Sequence, residues 1–125
     1  MTASRSDNKK TGDRGESIAS QFLEDKGYKI VQRNFRYSTF GEIDIIAKKD
    51  GVLIFVEVKT YKTEEFGEPL LLVNHKKQQK IRKLAQIYML QKHIDDIDCR
   101  FDVIGIKIAK ADIADSSVTH IENAF

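Results

Sequence analysis

A glutamate and a lysine stand two residues apart in the run VLIFVEVK (52–59), and an aspartate interrupts the run EIDIIAKK (42–49). Side chains alternate along a strand, so Glu57 and Lys59 project to one side together with Leu53 and Phe55. Asp50 and Gly51, between the two runs, tolerate the left-handed backbone of a two-residue hairpin turn. A register symmetrical about that turn brings Asp44 near the level of Glu57. Two carboxylates about 4 Å apart in a partly desolvated cleft repel by roughly 4 kcal/mol at an effective dielectric of 20. A raised pKa, a salt bridge or a bound divalent cation must offset this. Two carboxylates, the backbone carbonyl of Val58 and several waters form an oxygen donor set that suits Mg²⁺ or Mn²⁺. A metal held this way polarises a phosphoryl oxygen and lowers the pKa of a bound water. Lys59 then positions the attacking water and stabilises developing negative charge. That combination hydrolyses phosphodiesters.

A plainer reading competes, since an acid and a lysine two residues apart are common on exposed edge strands, where they repel unwanted pairing. The surroundings weigh against it. Glu57 lies in an apolar run, and Asp44 is enclosed by Ile43, Ile45 and Ile46.

The elements that must position these groups follow from periodicity. Residues 12–26 place Ile18, Ala19, Phe22 and Leu23 on one helical face, and Gly27 is a natural stop. Residues 1–11 are polar, without periodicity, and are expected to form a flexible tail. YKIVQRNFR (28–36) reads as a first strand, followed by a polar turn at 37–41. The two acid-bearing runs are the second and third strands, antiparallel to each other. Residues 60–73, which hold the only proline, read as a loop. Asn74 caps a second helix to about Gln91 whose inner face carries Ile81, Leu84, Ala85 and Tyr88. CRFDVIGIKI (99–108) is a nearly all-apolar strand, and SVTHIENAF supplies a last short one. The order α-β-β-β-α-β-β predicts an α/β fold, a mixed sheet with a helix on each side.

Composition narrows the classes. A chain of 125 residues with 41% hydrophobic and 32% charged residues is one globular domain with a heavily solvated surface. Its 21 Lys and Arg against 19 Asp and Glu leave a net charge of +2, so any attraction to polyanions must come from local clustering. The single Cys99 excludes an intramolecular disulfide and a CxxC zinc knuckle, and His75, His93 and His120 have no spacing that suggests zinc. Surface or capping roles are expected for these histidines. No apolar run is long enough to span a bilayer, and the N-terminus has no apolar signal core, so a cytoplasmic protein without membrane contact is expected.

The motifs GEIDIIA followed by IFVEVK resemble the PD-(D/E)xK nuclease superfamily. The closer likeness is to the YraN family of bacterial endonucleases, similar to archaeal Holliday junction resolvases. It is carried by RGE at 14–16, GY at 27–28, RNFR at 33–36, GEID, FVEVK, RFDVIGI at 100–106 and the terminal HIENAF. The resemblance implies a restriction-endonuclease-like α-β-β-β-α-β core and a Mg²⁺-dependent nuclease. In it Asp44 and Glu57 bind metal, Lys59 assists catalysis and Glu16 adds a further acid. Glu16 also reads as half of a capping pair with Asp13, or as a partner of the helix dipole in a first turn. One departure from the family pattern is Tyr61, where a basic residue often follows the lysine by two positions.

A nuclease needs a basic approach surface, because neutralised phosphates supply most non-specific affinity. Arg33 and Arg36 flank the turn before GEID, and Lys76, Lys77 and Lys80 open the second helix, where free backbone N–H groups also favour phosphate. A solvated face is the plainer account of the helical lysines. The segment FGEPLLLV (66–73) is a candidate homodimer patch or a loop folded over its own core. The partner expected is DNA, branched or structured DNA included. Two rivals remain open: a catalytically inert nucleic-acid-binding or assembly module on the same fold, and an acid–lysine network serving only core specificity.

Overall fold

A computed structural model describes residues 5–62, 73–109 and 112–125. Helix α1 (Arg5–Asp25) is followed by strands β1 (Lys29–Tyr37), β2 (Gly41–Lys49) and β3 (Val52–Lys62). Helix α2 (His75–Gln91) and strands β4 (Asp98–Ala109) and β5 (Asp112–Ile121) complete the chain. The five strands form one sheet in sequence order, antiparallel except for the parallel pair β3 and β4. Parallel neighbours need a long crossover, and the segment containing α2 provides it. The element order and mixed sheet agree with the α/β expectation and with an α-β-β-β-α-β core.

Each face of the sheet has its own core. Ile81, Leu84, Ala85 and Tyr88 of α2 pack with Phe35, Ile43, Ile46, Leu53, Phe55 and Val103. On the other face Ala19 and Leu23 of α1 pack with Ile45, Ala47, Ile54, Val56, Ile104 and Ile106. Asn74 caps α2 as expected, its side chain accepting a hydrogen bond from the Lys77 amide at 2.9 Å. Asp50 and Gly51 both have positive φ, 51° and 78°, which closes the β2–β3 hairpin with Lys49 opposite Val52.

Helix α1 corrects the sequence reading at its start. It begins at Arg5, so residues 5–11 belong to the helix and not to a tail. Once a helix is nucleated each added residue costs little, and a polar stretch without periodicity can extend it. At its other end the amides of Gly27 and Tyr28 bond to the carbonyls of Glu24 and Leu23, a Schellman closure. Strand β3 runs three residues beyond the expected Lys59, and the rest of the proposed loop, with most of the FGEPLLLV patch, lies outside the described residues. Tyr61 in that extension is buried.

The α1 face also carries a polar network, centred on a buried aspartate, that joins Tyr28, just before β1, to β4 and to the end of β5. Asp102, fully buried, accepts from Arg100 Nε and from the Asn123 amide at 2.9 Å, and lies 2.7 Å from His120 Nε2. Arg100 continues to the Tyr28 hydroxyl at 2.7 Å, which donates to Glu122 at 3.1 Å. Lys26 Nζ lies 3.2 Å from His120 Nδ1. An ammonium can only donate, so Nδ1 is the acceptor and the ring proton sits on Nε2, facing Asp102. The expected surface or capping role of His120 is thus corrected: the residue is half-buried and its side chain is 3% exposed. Burial by itself would raise the Asp102 pKa, but the hydrogen bonds from His120, Arg100 and Asn123 outweigh it and hold the carboxyl below its ordinary value.

Two outcomes follow for stability. Asp102→Ala strands Arg100 and His120 and should cost about 3–5 kcal/mol in denaturant unfolding; a loss below about 1 kcal/mol would mean the network contributes little. A Cβ on Gly15 would stand 2.5 Å from Thr60 Oγ1, so Gly15→Ala should destabilise by about 1–3 kcal/mol, read as a lower denaturation midpoint.

Candidate functional site

The β2–β3 ladder runs from the turn outward, Lys49 with Val52 through Ile45 with Val56, and stops there. Continued by one step, the same register would set Asp44 opposite Glu57, as the symmetrical hairpin predicts. At that step β2 changes its facing. Strict alternation would put Ile43 and Ile45 on one side, yet Ile43 packs in the α2 layer and Ile45 in the α1 layer. The carboxylate of Asp44 takes over a ladder role, its Oδ2 accepting the Val58 amide at 2.8 Å. The amide and carbonyl of one strand residue point to the same neighbour, so the Val58 carbonyl opens on the same gap.

Asp44 and Glu57 are 9% and 5% exposed. Desolvation is the largest cause pushing the Asp44 pKa up, to about 9, followed by a hydrogen bond with Glu57 and the charge of Glu57. The Val58 amide pulls the other way, and Glu16 adds a smaller upward push. The pair therefore retains a proton through neutral pH. Lys77 Nζ reaches Glu57 Oε2 at 3.5 Å, an ion pair without hydrogen-bond geometry, since that buried oxygen makes no hydrogen bond to any described residue.

Glu16 lies about three turns into α1, half-buried, and its charge acts on Asp44. This corrects the capping and first-turn readings, which required a helix starting near Gly12. Lys59 is half-buried on β3, two residues beyond Glu57 and on its face by alternation. Among the nucleic-acid-binding candidates, Lys77 is half-buried and its ammonium reaches inward to Glu57. Arg36 pairs with Glu42 at 3.0 Å, Lys80 lies over the Phe40 ring at 5.5 Å, and Arg33 and Lys76 are exposed. The structure thus brings together Asp44, Glu57, Glu16 and Lys77, and leaves Arg33 and Lys76 at the surface.

Oxygen donors suit a hard cation, and the unbonded Glu57 oxygen, the Asp44 carboxyl and the Val58 carbonyl fit Mg²⁺ or Mn²⁺. Among the described residues no group of three or more His, Cys, Asp or Glu side chains could hold a metal, so backbone and water would have to complete any such set.

Residues 15–106 match the model of "Uncharacterised protein family UPF0102". The chain belongs to UPF0102, the YraN family. A UPF0102 protein of Pelobacter propionicus is 44% identical to it over 126 residues, covering 99% of this chain and 88% of the relative. One from Thermodesulfovibrio yellowstonii is 47% identical over 116 residues, 91% of this chain and 94% of its own. One from Geotalea daltonii is 46% identical over 121 residues, 97% and 93%. The UPF0102 match spans Glu16, Asp44, Glu57, Lys59 and all of α2, and ends before His120. Among the described residues no helix is long and apolar enough to cross a membrane.

The site has a measurable signature without metal. Asp44 has an ordinary pKa of 3.8 and a folded value of about 9, so between these the native state binds the extra proton and stability falls as pH rises. The slope is at most about 1.4 kcal/mol per pH unit. Asparagine reproduces the protonated acid, accepting from Val58 and donating toward Glu57. Asp44→Asn in EDTA should therefore melt above wild type by a margin that widens from pH 5 to pH 8.5; parallel melting curves across that range would show that Asp44 ionises freely.

Proposed function

We propose that this protein is a Mg²⁺-dependent endonuclease that hydrolyses phosphodiester bonds in DNA, branched or structured DNA included. The observation that carries the reading is the burial of Asp44 and Glu57 against each other at an opened end of the β2–β3 ladder. A fold gains no stability from two such acids, and a hydrophobic pair there would cost less. The arrangement is accounted for by a ligand that the acids receive.

Asp44, Glu57 and the Val58 carbonyl would hold Mg²⁺ or Mn²⁺. The bound ion would supply polarisation of a phosphoryl oxygen and a water of lowered pKa. The chain's own groups do the rest. Lys59 positions the attacking water and stabilises the charge that develops on the phosphate. Lys77, already beside Glu57, presents its ammonium to the phosphate path. Glu16 adds a carboxylate from the α1 side whose charge acts on Asp44, and the proton that Asp44 holds in the empty site would leave to solvent as the ion binds. Lys76, Lys80, Arg33 and Arg36 supply outlying positive charge for the nucleic-acid backbone.

One observation favours a second reading. With Asp44 protonated and Glu57 paired to Lys77, the cluster is compensated without a metal. That suits an inert binding or assembly module on the same fold.

Calorimetric titration with Mg²⁺ and Mn²⁺ separates the readings. Wild type should bind, Asp44→Asn should not, and Lys59→Ala should bind metal while cutting DNA about 10²-fold or more slowly than wild type. Absence of metal binding in the presence and absence of DNA would sink the enzyme reading and leave the module.

A further inference from the structure

The turn between β1 and β2 carries two aromatic rings that the sheet does not bury. Tyr37 is 43% exposed and Phe40 38%, four residues before the acid of β2. A core residue of this type contributes about 1.5–3 kcal/mol on burial, and neighbours such as Phe35 and Phe55 are fully used that way. Single exposed apolar residues need no explanation. Here two rings bracket one four-residue turn, 37–40, closed by the Phe40 amide on the Tyr37 carbonyl at 3.0 Å.

Their surroundings are cationic and lead to the site. Tyr37 shares the face of Phe35 by alternation, the face covered by α2. Lys80 of α2 lies 5.5 Å from the centroid of the Phe40 ring, and a Cβ on Gly41 would touch the stem of the same lysine at 3.0 Å. Lys77, one turn back on the same helical face, reaches Glu57 at 3.5 Å. Phe40, Lys80, Lys77 and Glu57 thus form one continuous path from an aromatic turn to the acid pair. Arg36, exposed and paired with Glu42, borders it.

Alternating cations and exposed rings are the means by which proteins hold unpaired nucleic-acid strands. Positive groups track phosphates, and each base stacks on an aromatic face. A base inside a duplex offers no face. We infer that Tyr37 and Phe40 are a base-stacking platform that takes an unpaired nucleobase of the DNA lying along Lys77 and Lys80. The protein then selects DNA whose pairing is interrupted beside the cut, as in a bulge, gap or flap, over DNA that is paired throughout. The inference rests on the proposed function for its ligand, but stacking needs neither metal nor cleavage and is tested apart from them.

The chain contains no tryptophan, so Phe40→Trp keeps an aromatic platform and introduces a single reporter. In EDTA and low salt, wild type and this variant should bind a duplex with a one-nucleotide bulge about tenfold more tightly than the same duplex fully paired. The Trp emission should be quenched by the bulged DNA and not by the paired one. The Tyr37→Ala, Phe40→Ala double variant should lose the preference and keep its affinity for paired DNA, which a merely structural role of the turn would not produce. Equal affinity of wild type for both DNAs, or a double variant that keeps the preference, overturns the platform and leaves the metal site standing. Binding to neither DNA overturns the platform and the DNA reading together. A preserved bulge preference with no cleavage in Mg²⁺ overturns the nuclease reading alone.

Discussion

Two carboxylates held together away from water cannot both be ionised without a compensating charge, and the arrangement around Asp44 and Glu57 answers to that constraint. Strand β2 leaves the ladder one residue short of Glu57, and the Asp44 carboxyl fills the vacated backbone role by accepting the Val58 amide. Lys77 turns inward from α2 to stand beside Glu57. The remaining imbalance is met by a proton on Asp44. Each is a partial compensation, and together they describe a site that is stable when empty yet offers oxygens to a harder charge.

A second buried aspartate in the same sheet shows what full compensation looks like. Asp102 is surrounded by donors from Arg100, His120 and the Asn123 amide, and it ionises more readily than a free carboxyl despite complete burial. Asp44 has one backbone donor and two acidic neighbours, and its carboxyl moves the other way. Burial opposes ionisation at both residues, so hydrogen-bond supply decides the direction. The donor-rich acid ties β4 to the end of β5 and to Tyr28, a structural task. The donor-poor acid sits where the ladder opens, at the site for which the metal-dependent function is proposed.

The two helices divide the work across the sheet. Helix α1 buries apolar residues on one face and brings Glu16 toward Asp44; α2 covers the other and brings Lys77 and Lys80. The close fit of Gly15 against Thr60 lets α1 approach the end of β3 just past the Glu57–Lys59 motif. On the opposite side the aromatic turn and the lysines of α2 form a path toward the same acids. The acid pair therefore receives a third carboxylate from one layer and its cations from the other, with the strands setting the spacing.

Much of this was legible in residue order, because it depends on local rules. The apolar spacing of Ile81, Leu84, Ala85 and Tyr88 marks the inner face of α2, and Asp50-Gly51 sets a register that levels Asp44 with Glu57. Family membership rests on the same linear pattern. What stayed hidden depends on where long side chains end after the layers pack. Lys77 reads as one of several surface lysines until α2 docks beside Glu57, and Glu16 reads as a first-turn acid until α1 is seen to begin at Arg5. His120 and Asp102 are 18 residues apart and meet only because β5 folds back antiparallel to β4. The facing change at Asp44 likewise has no signature in a run of isoleucines. Sequence alone determined which residues could do chemistry and at what level on the strands they lie, since alternation and turn geometry are properties of the nearby chain. Tertiary structure alone decided which of them lose water and which cations reach them, since desolvation and charge pairing act through space.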